Sequence, residues 1–308
     1  MGNLISIIQT ALPVFLALAL GMLCRKKSFI SREGVDALKK VVINITLPAV
    51  LINAFATAEY TLSTLILPAI VFTLCCVALV LGKLFVRITG MKSRLAPFLA
   101  TGFEAGMLGY ALFALLFPQE SASEFAVLDL GQTLFVFTLF KILISGKTDL
   151  KAIGKDMATT PILWAVLAGV LLGATGLYGK LQSWGVAGIL DASTSFISAP
   201  TGMIILLAVG YDLVLKEISW KKTGGLILMR LLEMGIVMVC VVALNRFVLG
   251  GISFEGAALL MVILPPPYVI PIFADEPAER AQIASALSAM TLMTMILFAV
   301  CSVFVNLA

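Results

Sequence analysis

The sequence predicts an all-α membrane protein of ten transmembrane helices in two inverted five-helix repeats, with discontinuous, crossing fourth and ninth helices. Three observations predict it. The 308 residues are 61% hydrophobic and only 12% charged, whereas a soluble domain carries about 25% charged residues. Apolar runs long enough to span a bilayer recur along the chain, separated by short polar connections. Basic residues gather in alternate connections, as the positive-inside rule requires of short cytoplasmic loops.

A helical span takes roughly 20 apolar residues. Spans are expected near 3–24, 36–57, 62–86, 95–117, 124–145, 161–178, 190–212, 223–248, 255–274 and 280–306, which leaves no room for a separate soluble domain. The first run has no basic residue before it and Arg25-Lys26-Lys27 after it, the opposite polarity to a secretory signal. It is therefore expected to be a retained span that begins outside the cytoplasm. Pro118, Gly179 and Pro277 punctuate later ends. Arg32, Lys39 and Lys40 extend the first basic cluster, followed by clusters at Lys83 to Arg94, Lys141 to Lys155 and Lys216 to Lys222. The intervening connections hold only Lys180 and Arg246. Both termini are thus expected outside, in a multi-pass protein of the cytoplasmic membrane.

The hydropathy pattern restarts near the midpoint, which divides the chain into 1–150 and 151–308. Ile45-Thr46-Leu47-Pro48 of the second span is matched by Ile197-Ser198-Ala199-Pro200 of the seventh, and Glu124 opens the fifth span as Glu279 opens the tenth. A repeat of five spans is odd in number, so its second copy must insert upside down, the plan of many secondary transporters.

Composition also excludes chemistry. The chain has no histidine, which removes the commonest metal ligand and the usual proton shuttle. Cys24, Cys75, Cys76, Cys240 and Cys301 lie in or beside apolar runs without C-x-x-C spacing and read as small buried hydrophobes. The net charge of +4 follows membrane topology and implies no nucleic acid. Gly210-Tyr211-Asp212 resembles half of an intramembrane aspartyl protease site, but no G-x-G-D segment follows it. No enzyme, cofactor or metal is expected.

The candidate site comes from two interruptions at corresponding places. The fourth span contains Gly102-Phe103-Glu104-Ala105-Gly106-Met107-Leu108-Gly109, and the ninth contains Leu264-Pro265-Pro266-Pro267. Three prolines cannot continue a helix, because each lacks an amide hydrogen and its ring clashes with the preceding turn. Irregular backbone at membrane depth is tolerated only where protein or a water-filled cavity satisfies it, so two discontinuous helices framing a site are expected. Second half-helices are expected to start near Leu108 to Tyr110 and near Val269 to Ile270, with amides that favour an anion. Polar residues proposed to line the site are Asn44, Asn53, Asp129, Gln132, Thr133, Ser195, Ser198, Thr201, Ser285, Ser288 and Thr291. Asp129 stands out because an intramembrane carboxylate costs roughly 2.5 to 3.5 kcal/mol on insertion scales. Glu104 is expected at the carboxyl end of a half-helix, among unpaired carbonyls, where it would need a proton or a cation. Arg230 and Glu233, three residues apart in the eighth span, read as a structural pair that snorkels toward the interface.

Over nearly its whole length the chain resembles the bacterial branch of the auxin efflux carrier family. The resemblance runs through Leu47-Pro48-Ala49, Gly106-Met107-Leu108-Gly109, Leu115-Leu116-Phe117, Asp129 and Leu264-Pro265. It is similar more distantly to bile-acid sodium symporters. The resemblance implies inverted repeats, a crossover of the fourth and ninth spans, and elevator-type alternating access for carboxylate-bearing substrates. The chain departs from the family at Glu104 and Gln132, where asparagine is usual, and at Ala111, where proline is frequent.

The expected function is secondary transport of a small organic anion. Substrate binding is assigned to Asn44, Gly106, Leu108, Gly109, Tyr110, Gln132, Pro265, Pro266, Pro267 and Tyr268, and coupling to a proton or sodium ion to Glu104 and Asp129. The expected partners are that anion and the lipid bilayer, with a homodimer as the alternative to a monomer. Other readings are a sodium-coupled symporter and a non-transporting membrane sensor. Single cysteines introduced at Ser121 and Thr148 in a cysteine-free background should react with impermeant reagents from opposite sides of the membrane; labelling from one side removes the inverted repeat.

Overall fold

Long apolar segments fold as helices because a backbone out of reach of water must satisfy its own amides and carbonyls. A computed structural model describes residues 2–89, 94–145, 154–155, 158–213, 218, 220–248, 255–270 and 277–307, and every regular element among them is helical. Helix α1 covers Gly2–Lys26, and α2, Arg32–Val41, passes through a π turn at Val42–Thr46 into α3, Leu47–Ala56. Helix α4 is Leu62–Thr89. The next segment is broken: α5, Ala96–Ala100, precedes a π turn at Ala105–Gly109 that continues into α6, Tyr110–Leu116. Helix α7, Ala122–Phe135, passes through a third π turn, Val136–Phe140, into α8, Lys141–Ser145.

The second half of the chain supplies α9, Pro161–Ala174, α10, Leu177–Ser183, α11, Ala187–Ser198, and α12, Thr201–Asp212. It continues with α13, Trp220–Val248, α14, Glu255–Ile263, and α15, Pro277–Leu307. Local chemistry fixes several ends. The Ser31 hydroxyl accepts a hydrogen bond from the Gly34 amide at 3.1 Å and caps α2. Pro161 opens α9, where its missing amide hydrogen costs nothing. Gly176, at φ +69°, breaks α9 from α10 in a conformation that other residues rarely adopt. The span expected at 161–178 therefore stops early, and the chain turns by 66° into α10.

Among the described residues, five helices are long and apolar enough to cross a membrane, or six if α9 and α10 count as one bent span. Large apolar side chains on several of them point outward, including Val80, Ile88, Phe196 and Phe247, a surface suited to lipid and not to water. The boundary near residue 150, Thr148, and the basic residues Lys92, Lys147, Lys151 and Lys216 lie outside the described residues.

The helices pack as two sets. Helices α1, α2, α3, α9, α10, α11 and α12 contact mainly one another, led by the α1–α12 and α3–α9 pairs. Helices α4 to α7 and α13 to α15 form the second set, held by α4–α7, α4–α13 and α13–α14 packing. Glycines let backbones approach closely, as in membrane helix pairs generally. A Cβ on Gly21 would sit 2.0 Å from the Leu207 carbonyl oxygen, and one on Gly210 would sit 2.2 Å from that of Leu18. Gly21→Ala and Gly210→Ala should each destabilise the folded protein by about 1–3 kcal/mol, the usual cost of overpacking. Gly235→Ala, which meets nothing within 4 Å, should be neutral or stabilising; thermal unfolding in detergent separates the two cases.

Candidate functional site

The break after α5 begins with Thr101 in extended conformation and Gly102 at φ +75°. Only glycine fits there easily, since a Cβ would also lie 3.0 Å from Gln132 Nε2. The turn aims the Phe103 carbonyl at Gln132, whose Nε2 donates to it at 2.9 Å. Gln132 Oε1 in turn accepts from Cys75 Sγ at 3.4 Å. The break after α14 begins at Leu264, and Pro265, Pro266 and Pro267 follow in non-helical backbone. The two breaks are joined to each other: the Glu104 amide donates to the Pro265 carbonyl at 2.8 Å, and the Tyr268 amide donates to Glu104 Oε2 at 2.6 Å. The half-helix expected to follow Ile270 would run through 271–276, outside the described residues.

The carbonyls at the ends of α5 and α14 lack helical partners. Arg230 of α13 supplies them. Its guanidinium, with no exposed surface, donates from Nη2 and Nε to the Leu264 carbonyl at 2.6 and 3.2 Å, and from Nη1 to those of Ala100 and Leu99 at 3.3 and 3.4 Å. This corrects two expectations. Arg230 does not snorkel, because three carbonyl oxygens in the bundle interior satisfy its donors better than a distant interface would. Glu104 does not stand among unpaired carbonyls, because Arg230 caps them; its carboxylate reaches past them to the Tyr268 amide.

A cavity of about 980 Å³ opens between the two sets of helices beside these breaks. Of the residues assigned to the site from sequence, Asn44, Glu104, Gly106, Tyr110, Asp129, Gln132, Pro267 and Tyr268 line it. Leu108, Gly109, Pro265 and Pro266 do not. The helix after the first break starts at Ala105, earlier than expected, so the Gly109 amide is spent on the Glu104 carbonyl at 3.0 Å. Gly109 serves packing, since a Cβ there would meet Phe125 at 2.7 Å, and Leu108 is fully buried. Thr133, Ser285, Ser288 and Thr291 also line the cavity, whereas Ser195, Ser198 and Thr201 lie elsewhere. Asn53 lies elsewhere too, its Nδ2 donating to Asp191 and Thr194 of α11 at 3.3 and 3.2 Å.

Within the cavity Tyr110 donates from its hydroxyl to Asp129 Oδ2 at 3.1 Å, and the Tyr268 and Thr291 hydroxyls share a bond of 3.0 Å. Asn44 Nδ2 donates to its own helix, at the Lys40 carbonyl, 2.8 Å away. Arg32, Asp36, Lys39 and Asp212 also line the cavity as an ion-pair cluster: Arg32 Nη1 bonds Asp212 Oδ1 at 2.6 Å, and Lys39 bonds the same carboxylate. Asp212 is thus engaged by two cations. All three π turns contribute lining residues, among them Asn44, Gly106 and Phe137. Such turns often mark functional sites. Sequence reading missed the π turns, the ion-pair cluster and the Arg230 cap. An arginine deep in an apolar run was the signal for the last of these.

No family model matches the sequence. An uncharacterized transporter of Methanothermobacter thermautotrophicus is 29% identical over 205 residues, covering 64% of this chain. The match spans 66% of that relative, just under two thirds of its length. That relative and the apolar helices together support a membrane transporter.

Replacing Arg230 by methionine should leave the Leu264, Leu99 and Ala100 carbonyls without donors. At about 1–3 kcal/mol for each unsatisfied buried group, the variant should lose 3 kcal/mol or more, or fail to accumulate as a monodisperse species in fluorescence-detected gel filtration. Wild-type thermal stability in Arg230→Met would refute the cap.

Proposed function

We propose that the chain is a secondary carrier of a small organic anion, a mono- or dicarboxylate. The observation that carries this reading is the bond from the Tyr268 amide to the Glu104 carboxylate at 2.6 Å, at the wall of a cavity framed by both helix breaks. An amide turned toward that cavity and already holding a carboxylate is a group suited to a substrate carboxylate. Glu104 then acts as a tethered competitor. A substrate anion takes its place on the Tyr268 amide, and the displaced side chain is stabilised by a proton or a cation, which couples the two. Tyr110, Gln132 and Asn44 add polar groups to the cavity wall, and Asp129 is a second candidate for the coupling charge.

In this reading the chain has ten spans in two inverted repeats, belongs with the auxin efflux carriers, and works by an elevator movement. The set of helices containing the breaks moves against the set built on α1, α3, α9 and α12, and the cavity between them changes sides. The packing of the helices into two sets supports that division.

A thermal-shift screen of purified protein against mono- and dicarboxylates, with and without sodium and at two pH values, tests the reading, because a ligand that binds the folded state raises its apparent stability. At least one carboxylate should stabilise the wild type. Its effect should depend on pH or sodium, and Glu104→Gln should flatten that dependence without loss of fold. Stabilisation by amines or neutral solutes, with none by carboxylates, would sink the anion reading. A wild-type dependence in Glu104→Gln would make Glu104 structural.

A further inference from the structure

Behind the helix breaks, away from the cavity, α13 carries a second carboxyl group in an unusual state. Glu233 is 7% exposed, and among the described residues neither of its oxygens has a partner in hydrogen-bond geometry. Among the described residues it forms no ion pair either: Arg230, one turn earlier on the same helix, spends its donors on the Leu264, Leu99 and Ala100 carbonyls. Gly82 of α4 leaves room for the carboxyl group, since a Cβ there would stand 3.3 Å from each oxygen. The Thr101 hydroxyl interacts with it at the start of the first break. Thr101 is fully buried, and its oxygen likewise lacks a partner in hydrogen-bond geometry.

We propose that Glu233 is a proton-binding site, its proton shared with the Thr101 hydroxyl. An ionised carboxylate buried here, with only the Thr101 hydroxyl in reach, is the unfavourable form in so apolar a place. One proton removes the charge, and the neutral carboxyl group can then both donate to and accept from the Thr101 hydroxyl. A metal ion is the poorer ligand for this pocket, because it would bring a second cation beside the guanidinium while finding a single carboxylate. Of the titratable and charged groups on the elements packed around Glu233, Arg230 on α13 itself is the charge that acts on it, with Cys75 of α4 beside that guanidinium; Cys76, Lys83 and Arg87 of α4 and Cys240 and Arg246 of α13 are partly or fully exposed. Arg230 is the one that links the proton to the site. Its guanidinium is drawn either to the carbonyls at the two breaks or to an ionised Glu233, so proton loss competes for the cap that holds both breaks in place. By reciprocity, any rearrangement of the breaks alters the affinity for the proton. The site thus deepens the carrier reading by giving the moving bundle a proton to carry, while the binding itself stands apart from transport.

Infrared difference spectroscopy of the purified protein, titrated with acid and base without any substrate, tests the site directly. The wild type should show a protonated-carboxyl band that titrates, and Glu233→Gln should lose that band while Asp129→Asn and Glu104→Gln retain it. If Glu233→Gln does not fold, the protein is labelled with carbon-13 glutamate, and Glu233→Asp should remove one isotope-shifted band. Survival of every titrating band in the Glu233 variants overturns the proposal. So does a tenfold shift of the titration midpoint on replacing potassium by sodium, which would make the site a metal-ion site. Failure of these spectra leaves the carboxylate screen untouched, and failure of the screen leaves the proton site standing.

Discussion

The structure depends on one constraint: two helices stop inside an apolar bundle, and the carbonyl oxygens they leave behind must find donors. Water cannot supply them there, and each unsatisfied group costs about 1–3 kcal/mol or more. A single guanidinium, Arg230, reaches Leu264 from one break and Leu99 and Ala100 from the other. With the carbonyls held from behind, the chain on the far side of each break is fixed in place. It is there that the Glu104 and Tyr268 amides make their cross-connections, to the Pro265 carbonyl and to the Glu104 carboxylate. Rigid support of this kind gives a site its geometry.

Charge in the interior follows a consistent pattern. Arg230, Glu104 and Asp129 each touch an element that is itself irregular. Arg230 bonds the breaks, Glu104 spans them, and Asp129 is held by Tyr110, the first residue after a π turn. Regular helix offers a charge no backbone partners, because its own hydrogen bonds consume them. Breaks and π turns expose those partners, so they are where an apolar protein can keep polar chemistry. The cavity borders all three π turns and both breaks, which concentrates what polar function the chain has into one region between the two sets of helices.

The sequence by itself determined a great deal. Its composition made a membrane protein of helices the only economical solution, because so few polar residues could not cover a soluble surface. Gly102 and the triple proline marked the breaks, since backbone chemistry there is local and needs no neighbour to be read. Most residues assigned to the site line the cavity for the same reason: Glu104, Gly106, Pro267 and Tyr268 sit at the breaks, and Asp129 and Gln132 are polar where apolar residues prevail.

Only the tertiary structure decided which polar group met which. Arg230 and Glu233 look like an i, i+3 pair on one helix, but the carbonyls that compete for the guanidinium come from residues more than thirty and more than a hundred positions away. Asn53 and Asn44 are equally polar in the sequence, yet Asn53 turns to Asp191 on α11 and only Asn44 borders the cavity. The start of the helix after the first break moved to Ala105, because where an amide is consumed depends on the bonds that Glu104 makes across to the other break. Local sequence sets where a backbone must break. Long-range packing sets who satisfies the groups that the break exposes, and in a medium without water that choice decides the site.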